Sequence, residues 1–530
     1  MSKAVIQPFL EYQKSRIVFA QTVMTLSRKA DYVPSLKKLG VLKLICPLLS
    51  DPVPSVKQCA AFSISQLIKN DTKNEIANCV INEDKGRLFN EMMSNLDDDK
   101  HYREAVLLTI SKIASKKENR SLALKIAESG AIRFIVSCLE GYWPALKVQA
   151  ACAIAHLAEH DLKIASEFVN EKVIDTLISC IQEPDLKLKK YSAAALTSIA
   201  KHSNLNALKI ATEKENLNTI LFFVSHKDYS LKNQVLLCLS ALAHHSNETG
   251  YNIVSKINSN DIEDCINGDN LACQQNTFKL LGDIASGGLD NANTVLQKIK
   301  CETVARYIET NTGMPIFFPT YLIITLASYG KDQAENLMKV NIHKSLALAL
   351  YNQANDEQVL SNVCIAIKLL ASHNDDINNR IADNIEYRNN LYNIPYKLLE
   401  FAISKRNTQY IKENAKSSLE KVLEKCTMIN LLIPLLVKPD DYIDKKAYES
   451  ILVQTIRRMR DILYASSGEN MKKEFIRNKT LKKIIDLKSY YDGVREELIE
   501  FSRLYPPEIM NYFSDEYEKE MKEKYLKETI

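Results

Sequence analysis

Leu188, Ser192, Ala195, Leu196 and Ile199 follow one another at intervals of four, three, one and three residues. In an α-helix those intervals bring all five onto one inward stripe. Serine and alanine at the crowded positions let a neighbouring helix approach closely, while Leu196 and Ile199 fill the space between layers. Upstream, the run from Val173 to Ile181 predicts a second amphipathic helix. It stops at Gln182-Glu183-Pro184, because proline removes a helix donor and disfavours helix in the residue before it. Downstream, the shorter segment from Leu205 to Ile210 predicts a brief helix ahead of the next such pair. The unit is a short helix followed by two longer ones.

That unit recurs along the chain. Leu146-Lys147 through Ile154 and Leu157-Ala158, and Leu231-Lys232 through Leu239 and Leu242-Ala243, repeat the stripe of Leu188-Lys189. With Lys189 as marker, equivalents fall at Lys57, Arg103, Lys147, Lys189, Lys232, Gln274, Ile316, Leu360 and Lys412. Successive differences are 46, 44, 42, 43, 42, 42, 44 and 52. Armadillo and HEAT arrays have periods of about 40–47 residues, and three helices per unit favour armadillo over the two-helix HEAT unit. The expected fold is all-α: an armadillo-repeat, right-handed superhelical solenoid of about nine to eleven three-helix repeats, with degenerate terminal repeats. The expected divisions are a capping helix at 1–30, the array at 31–430, degenerate repeats at 431–513 and a charged terminal helix or tail at 514–530. The repeats blur around Asn311–Tyr329 and Tyr387–Lys412, and the spacing of 52 implies a local insertion.

Composition agrees with helices that pack side by side. Hydrophobic residues make up 46% of the 530, with only 13 glycines and 14 prolines to break helices. A net charge of +4 makes no general case for nucleic acid, which needs a concentrated basic face. No apolar run of about 18 residues predicts a membrane span, and the N-terminal segment does not read as a secretory signal. The twelve cysteines include no Cys-x-x-Cys pair. Cys59, Cys152, Cys238 and Cys364 fall on the apolar third helix, where reduced thiols serve as small hydrophobes in a reducing compartment.

Catalytic signatures are missing from the sequence. Gly282 to Gly288 is glycine-rich but lacks the Lys-Ser/Thr of a phosphate loop, and there is no Gly-x-Ser-x-Gly or His-Glu-x-x-His. The expectation is no enzyme, no cofactor and no metal. His160, His202, His245 and His373 occupy one repeat position, a repeat apart and too far for shared ligation. They are expected at helix C-termini, where imidazole meets free carbonyls. Asp97-Asp98-Asp99 reads as a capped and solvated helix start. Trp143 sits in a loop before a third helix, and the Trp-x-x-x-Asn ladder of nuclear-import adaptors is absent.

Two sets of cations are candidates for partner binding. One is the marker ladder, Lys147, Lys189 and Lys232 among them, either a solvated rim or an edge facing an acidic partner. The other is the C-terminal cluster of Arg457, Arg458 and Arg460 with Lys472, Lys473, Lys482 and Lys483. Acidic surfaces, microtubules among them, attract such clusters.

The ends of the chain carry a more specific likeness. Glu11-Tyr12-Gln13-Lys14-Ser15-Arg16, Cys180 to Pro184, Lys425-Cys426-Thr427, Leu481 to Ile484 and Tyr505 to Ser514 occur in order. Together they resemble the sperm-associated antigen 6 family of armadillo proteins of the ciliary central apparatus. The resemblance implies a non-catalytic scaffold in the axoneme of cilia and flagella, in the cytoplasm and on its cytoskeleton. It implies tubulin of the central-pair microtubule and other central-apparatus proteins as partners, with self-association open and no nucleic acid or membrane. A soluble adaptor holding peptides in its concave groove is the alternative. The family's small turn before the second helix survives as Leu39-Gly40-Val41 and Ser129-Gly130-Ala131 but becomes Asn170-Glu171-Lys172-Val173 elsewhere.

Overall fold

The computed structural model describes residues 3–510, except 97–98, 213, 353–355, 388, 439–442, 466–468, 502, 506 and 508. Asp97, Asp98 and the expected tail at 514–530 lie outside the described residues. The chain divides into two units, Met1–Asp261 and Ile262–Ile530.

In the first unit the third helices are Pro54–Asn70, Lys100–Ala114, Pro144–Ala158, Leu186–Ala200 and Tyr229–His245, each packed on the next. The helix Lys3–Ser27 packs on the first of them. All five stripe residues of the reference copy are fully buried. The expected trio of helices is present as Leu162–Asn170, Val173–Gln182 and Leu186–Ala200. Third helices start in one of two ways. Asp99, Asp185 and Asp228 accept hydrogen bonds from first-turn amides, or proline stands at the first helical position, as in Pro54 and Pro144.

The second unit stacks Leu271–Ser286, Phe317–Ser328, Glu357–Ala371 and Gln409–Lys425 in the same way, followed by Lys445–Ala465 and Asp492–Phe501. Gly282 lies where the Tyr321 ring passes 2.6 Å from the site of a would-be Cβ, so the close approach requires glycine. The spacing of 52 has a structural cause. Strands Asn384–Tyr387 and Asn390–Asn393 form an antiparallel hairpin with Asn384 opposite Asn393, inserted between a first helix and its second. The expectation of helix alone is corrected there. Asn389 takes the left-handed turn position, and Tyr351 Oη both donates to the Asn393 carbonyl and accepts from its amide, at 3.1 Å each.

The turn before the second helix keeps its shape where its glycine is lost. Gly40, Gly86, Gly130, Lys172, Asn341 and Lys479 all have φ between 54° and 84°. The chain repeats a conformation that the sequence does not repeat.

Candidate functional site

Two of the marker lysines, Lys147 and Lys189, reach into the next layer. Lys147 Nζ pairs with Glu183 at 2.5 Å. Lys189 Nζ donates to the Ile181 carbonyl at 3.1 Å and lies 4.6 Å from the centre of the Phe223 ring in the next repeat. Burial draws its ammonium below the ordinary lysine range. Lys232 is 9% exposed and sits over Tyr229.

The C-terminal cluster separates into two kinds of cation. Arg457 Nε and Arg460 Nη1 grip the two oxygens of Glu497 at 2.5 and 3.0 Å, and the Glu497 side chain is 6% exposed. Arg458 Nε donates to the Cys426 carbonyl at 2.8 Å. Lys472 and Lys482 are half-buried, whereas Lys473 and Lys483 are exposed beside Arg477 and Lys479. The arginines bind the last helices together, and the exposed lysines face solvent.

The histidines meet helix-end carbonyls, but those of the preceding layer. His160 Nε2 lies 2.6 Å from the Ala114 carbonyl, His245 Nε2 2.9 Å from that of Lys201, and His373 Nε2 2.6 Å from that of Ala327. A carbonyl can only accept, so each imidazole donates. Asn70 to Ser27 and Lys116 to Asp71 make the same bond in earlier layers. His202 is the exception, its Nε2 buried without a partner. Trp143 carries Lys100 Nζ 4.2 Å from its ring centre.

What the sequence did not single out is a groove of about 640 Å³ across the third helices of the first unit. Ala155 and Ala194 line it, with His156, Lys190, Tyr191 and Gln234 on successive helices. His156 and Ser198 both stand nine residues after their markers, so the period held a signal for them. Beneath, His156 Nδ1 lies 3.1 Å from Ser111 Oγ and 3.2 Å from the Ser111 carbonyl.

Cys152 Sγ lies 3.9 Å from His156 Nδ1 and 3.2 Å from Ser111 Oγ. Burial pushes the thiol up and holds the imidazole below its ordinary range. Both shifts favour the neutral pair, the opposite of an activated thiolate. Burial also pushes the thiols of Cys238 and Cys364 up to about 12, while Cys59 is only half-buried. Among the described residues no cluster of three or more His, Cys, Asp or Glu can hold a metal, and no helix is long and apolar enough to cross a membrane.

The HEAT repeat family matches residues 41–70, which span Val41–Ile45 through Pro54–Asn70, the second and third helices of one layer. Sperm-associated antigen 6 of Mus musculus is 31% identical over 104 residues, 19% of this chain and 20% of that protein. Sperm-associated antigen 6 of Homo sapiens is 33% identical over 81 residues, 15% and 16% of the two chains. The chain thus covers a fifth or less of the length of these relatives. An engineered protein of known crystal structure covers 76% of this chain and 94% of its own, with a TM-score of 0.64 at 16% identity. The fold is an all-α repeat solenoid.

Proposed function

We propose that this chain is a non-catalytic structural scaffold of the axonemal central pair, on its C1-type microtubule, supporting central-apparatus assembly and ciliary or flagellar motility. The observation that carries the reading is the likeness to sperm-associated antigen 6, set on a repeat array. Layers tied by carbonyl bonds and ion pairs suit a part that bears load. Tubulin and other central-apparatus proteins are the partners this reading names. The exposed Lys473 and Lys483 are the cations of the C-terminal cluster best placed for an acidic one.

The test is to tag the protein in its own ciliated cells and image detergent-extracted axonemes in cross-section. Label on the central pair is expected, released only by high salt. Label lost with membrane and matrix overturns the scaffold and favours a soluble adaptor, a reading supported by the open groove.

A further inference from the structure

We propose that Thr408 is a phosphorylation site for a basophilic protein kinase, and that its phosphate completes the start of the helix Gln409–Lys425. This goes beyond the scaffold reading and does not rest on it.

The sequence offers two such hydroxyls, and burial removes one. A kinase with an acidic substrate groove selects a hydroxyl that follows a basic pair at a fixed spacing. Ser192 stands at that spacing in Lys189-Lys190-Tyr191-Ser192, and Thr408 in Lys405-Arg406-Asn407-Thr408. Ser192 is fully buried, and Lys189 is engaged by the Ile181 carbonyl and the Phe223 ring. Lys405, Arg406 and Thr408 are exposed, in the connection between Ile394–Ile403 and Gln409–Lys425.

The start of that helix is the second argument. Asp99, Asp185, Asp228, Asn270 and Asp356 cap equivalent helices, each accepting from first-turn amides. Pro54, Pro144 and Pro315 open three others. Among the described third helices of the array, Gln409–Lys425 alone has neither device. Thr408 holds the N-cap position, at φ −65° and ψ 156°, but its hydroxyl takes no cap hydrogen bond. An uncapped first turn opens readily, which lets a kinase draw the segment into extended form. Phosphothreonine then puts a charge of about −2 and three acceptor oxygens where Asp99, Asp185, Asp228 and Asp356 each put a carboxylate. Lys405 and Arg406 precede it and Lys412 follows one turn on, while Glu413, the nearest acid in sequence, already accepts from Gln409 Nε2 at 2.8 Å.

The phosphoryl donor is magnesium ATP. Thr408 Oγ1 bonds to the γ-phosphorus, the bond to the β,γ-bridging oxygen breaks, and ADP departs with that electron pair. The hydroxyl proton passes to the base of the kinase.

The experiment treats the full chain with magnesium ATP and the catalytic subunit of cyclic-AMP-dependent protein kinase, and maps phosphate by mass spectrometry. Phosphate at Thr408 is expected, with Ser192 bare. Arg406→Ala should slow labelling by about tenfold or more. Thr408→Val should abolish it at this site, and Thr408→Ser, which keeps the hydroxyl, should retain it and guards against misfolding. Once Thr408 carries phosphate, the amides of Gln409, Tyr410 and Ile411 should exchange hydrogen about fivefold more slowly, the factor one helix cap contributes. Thr408→Asp should give part of that protection without the kinase. Phosphate on Ser192 with Thr408 bare, labelling indifferent to Arg406→Ala, or first-turn exchange unchanged or faster after modification each overturns the proposal.

Discussion

The two units use the same third helix and spend their charge differently. In the first, marker positions from Lys57 to Lys232 are all cationic, and cations remain along the groove. In the second, the markers become Gln274, Ile316, Leu360 and Lys412, and only the last is charged. Lys279 pairs with Asp283, whose side chain is 9% exposed, and Arg457 and Arg460 close on Glu497. A dense run of arginine in the sequence is therefore cohesive here, while Lys117 and Lys190 of the first unit have no acidic partner among the described residues. Charge density along a chain and charge density on a surface are different quantities.

Reversing the charge of Arg460 is the harshest way to probe that difference. A second carboxylate beside nearly buried Glu497 removes one of its two cations and adds repulsion, a loss of about 3–5 kcal/mol for breaking a buried pair. Arg460→Glu should lower the melting transition of the C-terminal layers and expose Lys445–Ala465 to protease, whereas Lys190→Glu should change neither. Equal melting of the two variants would erase the contrast between the units. It also follows that loss of microtubule binding on reversing Arg457, Arg458 and Arg460 together would report unfolding as readily as a lost contact. Lys473 and Lys483 are the cleaner probes.

Acid should act next most strongly, and on the second unit. His343 is 5% exposed, its Nδ1 has no partner, and burial with Arg380 and Lys344 nearby lowers it to about 4 from an ordinary 6.5. The native state thus refuses a proton that the unfolded chain accepts below about 6.5. Stability is whole above that pH and falls as the pH drops toward 4, by up to about 3 kcal/mol. Denaturant titrations at pH 7 and pH 4.5 should differ by clearly less in His343→Leu than in the parent. An identical difference in both would remove His343 from the account.

Much of this was legible in the sequence, and the parts that were not share a cause. The stripe from Leu188 to Ile199 specified burial because apolar period and helical period coincide. The histidine position was readable because it recurs, and the 52-residue step announced the hairpin without revealing its strands. The targets of the side chains were hidden. Glu497 is 37 residues from Arg460, and Phe223 belongs to the repeat after Lys189, so no local spacing marks either contact. The groove was hidden for a related reason. Its walls come from positions on several repeats, which no single repeat's apolar pattern brings together.

The smallest effect belongs to the turn that both units share, at Lys172 in the first and at Asn341 and Lys479 in the second. A side chain in the left-handed region costs about 1–2 kcal/mol, and glycine gives back about 0.4–1 kcal/mol through its freer unfolded chain. Lys172→Gly should therefore stabilise the first unit by about 0.5 kcal/mol. Gly130 supplies the reciprocal measurement, because a Cβ there meets nothing within 4 Å and any penalty comes from φ alone. Gly130→Ala should cost about as much as Lys172→Gly gains, both read as shifts in urea midpoint at constant slope. If Lys172→Gly instead destabilises, the lysine side chain is contributing contacts that outweigh its backbone strain, and the departure from glycine is an adaptation of that layer.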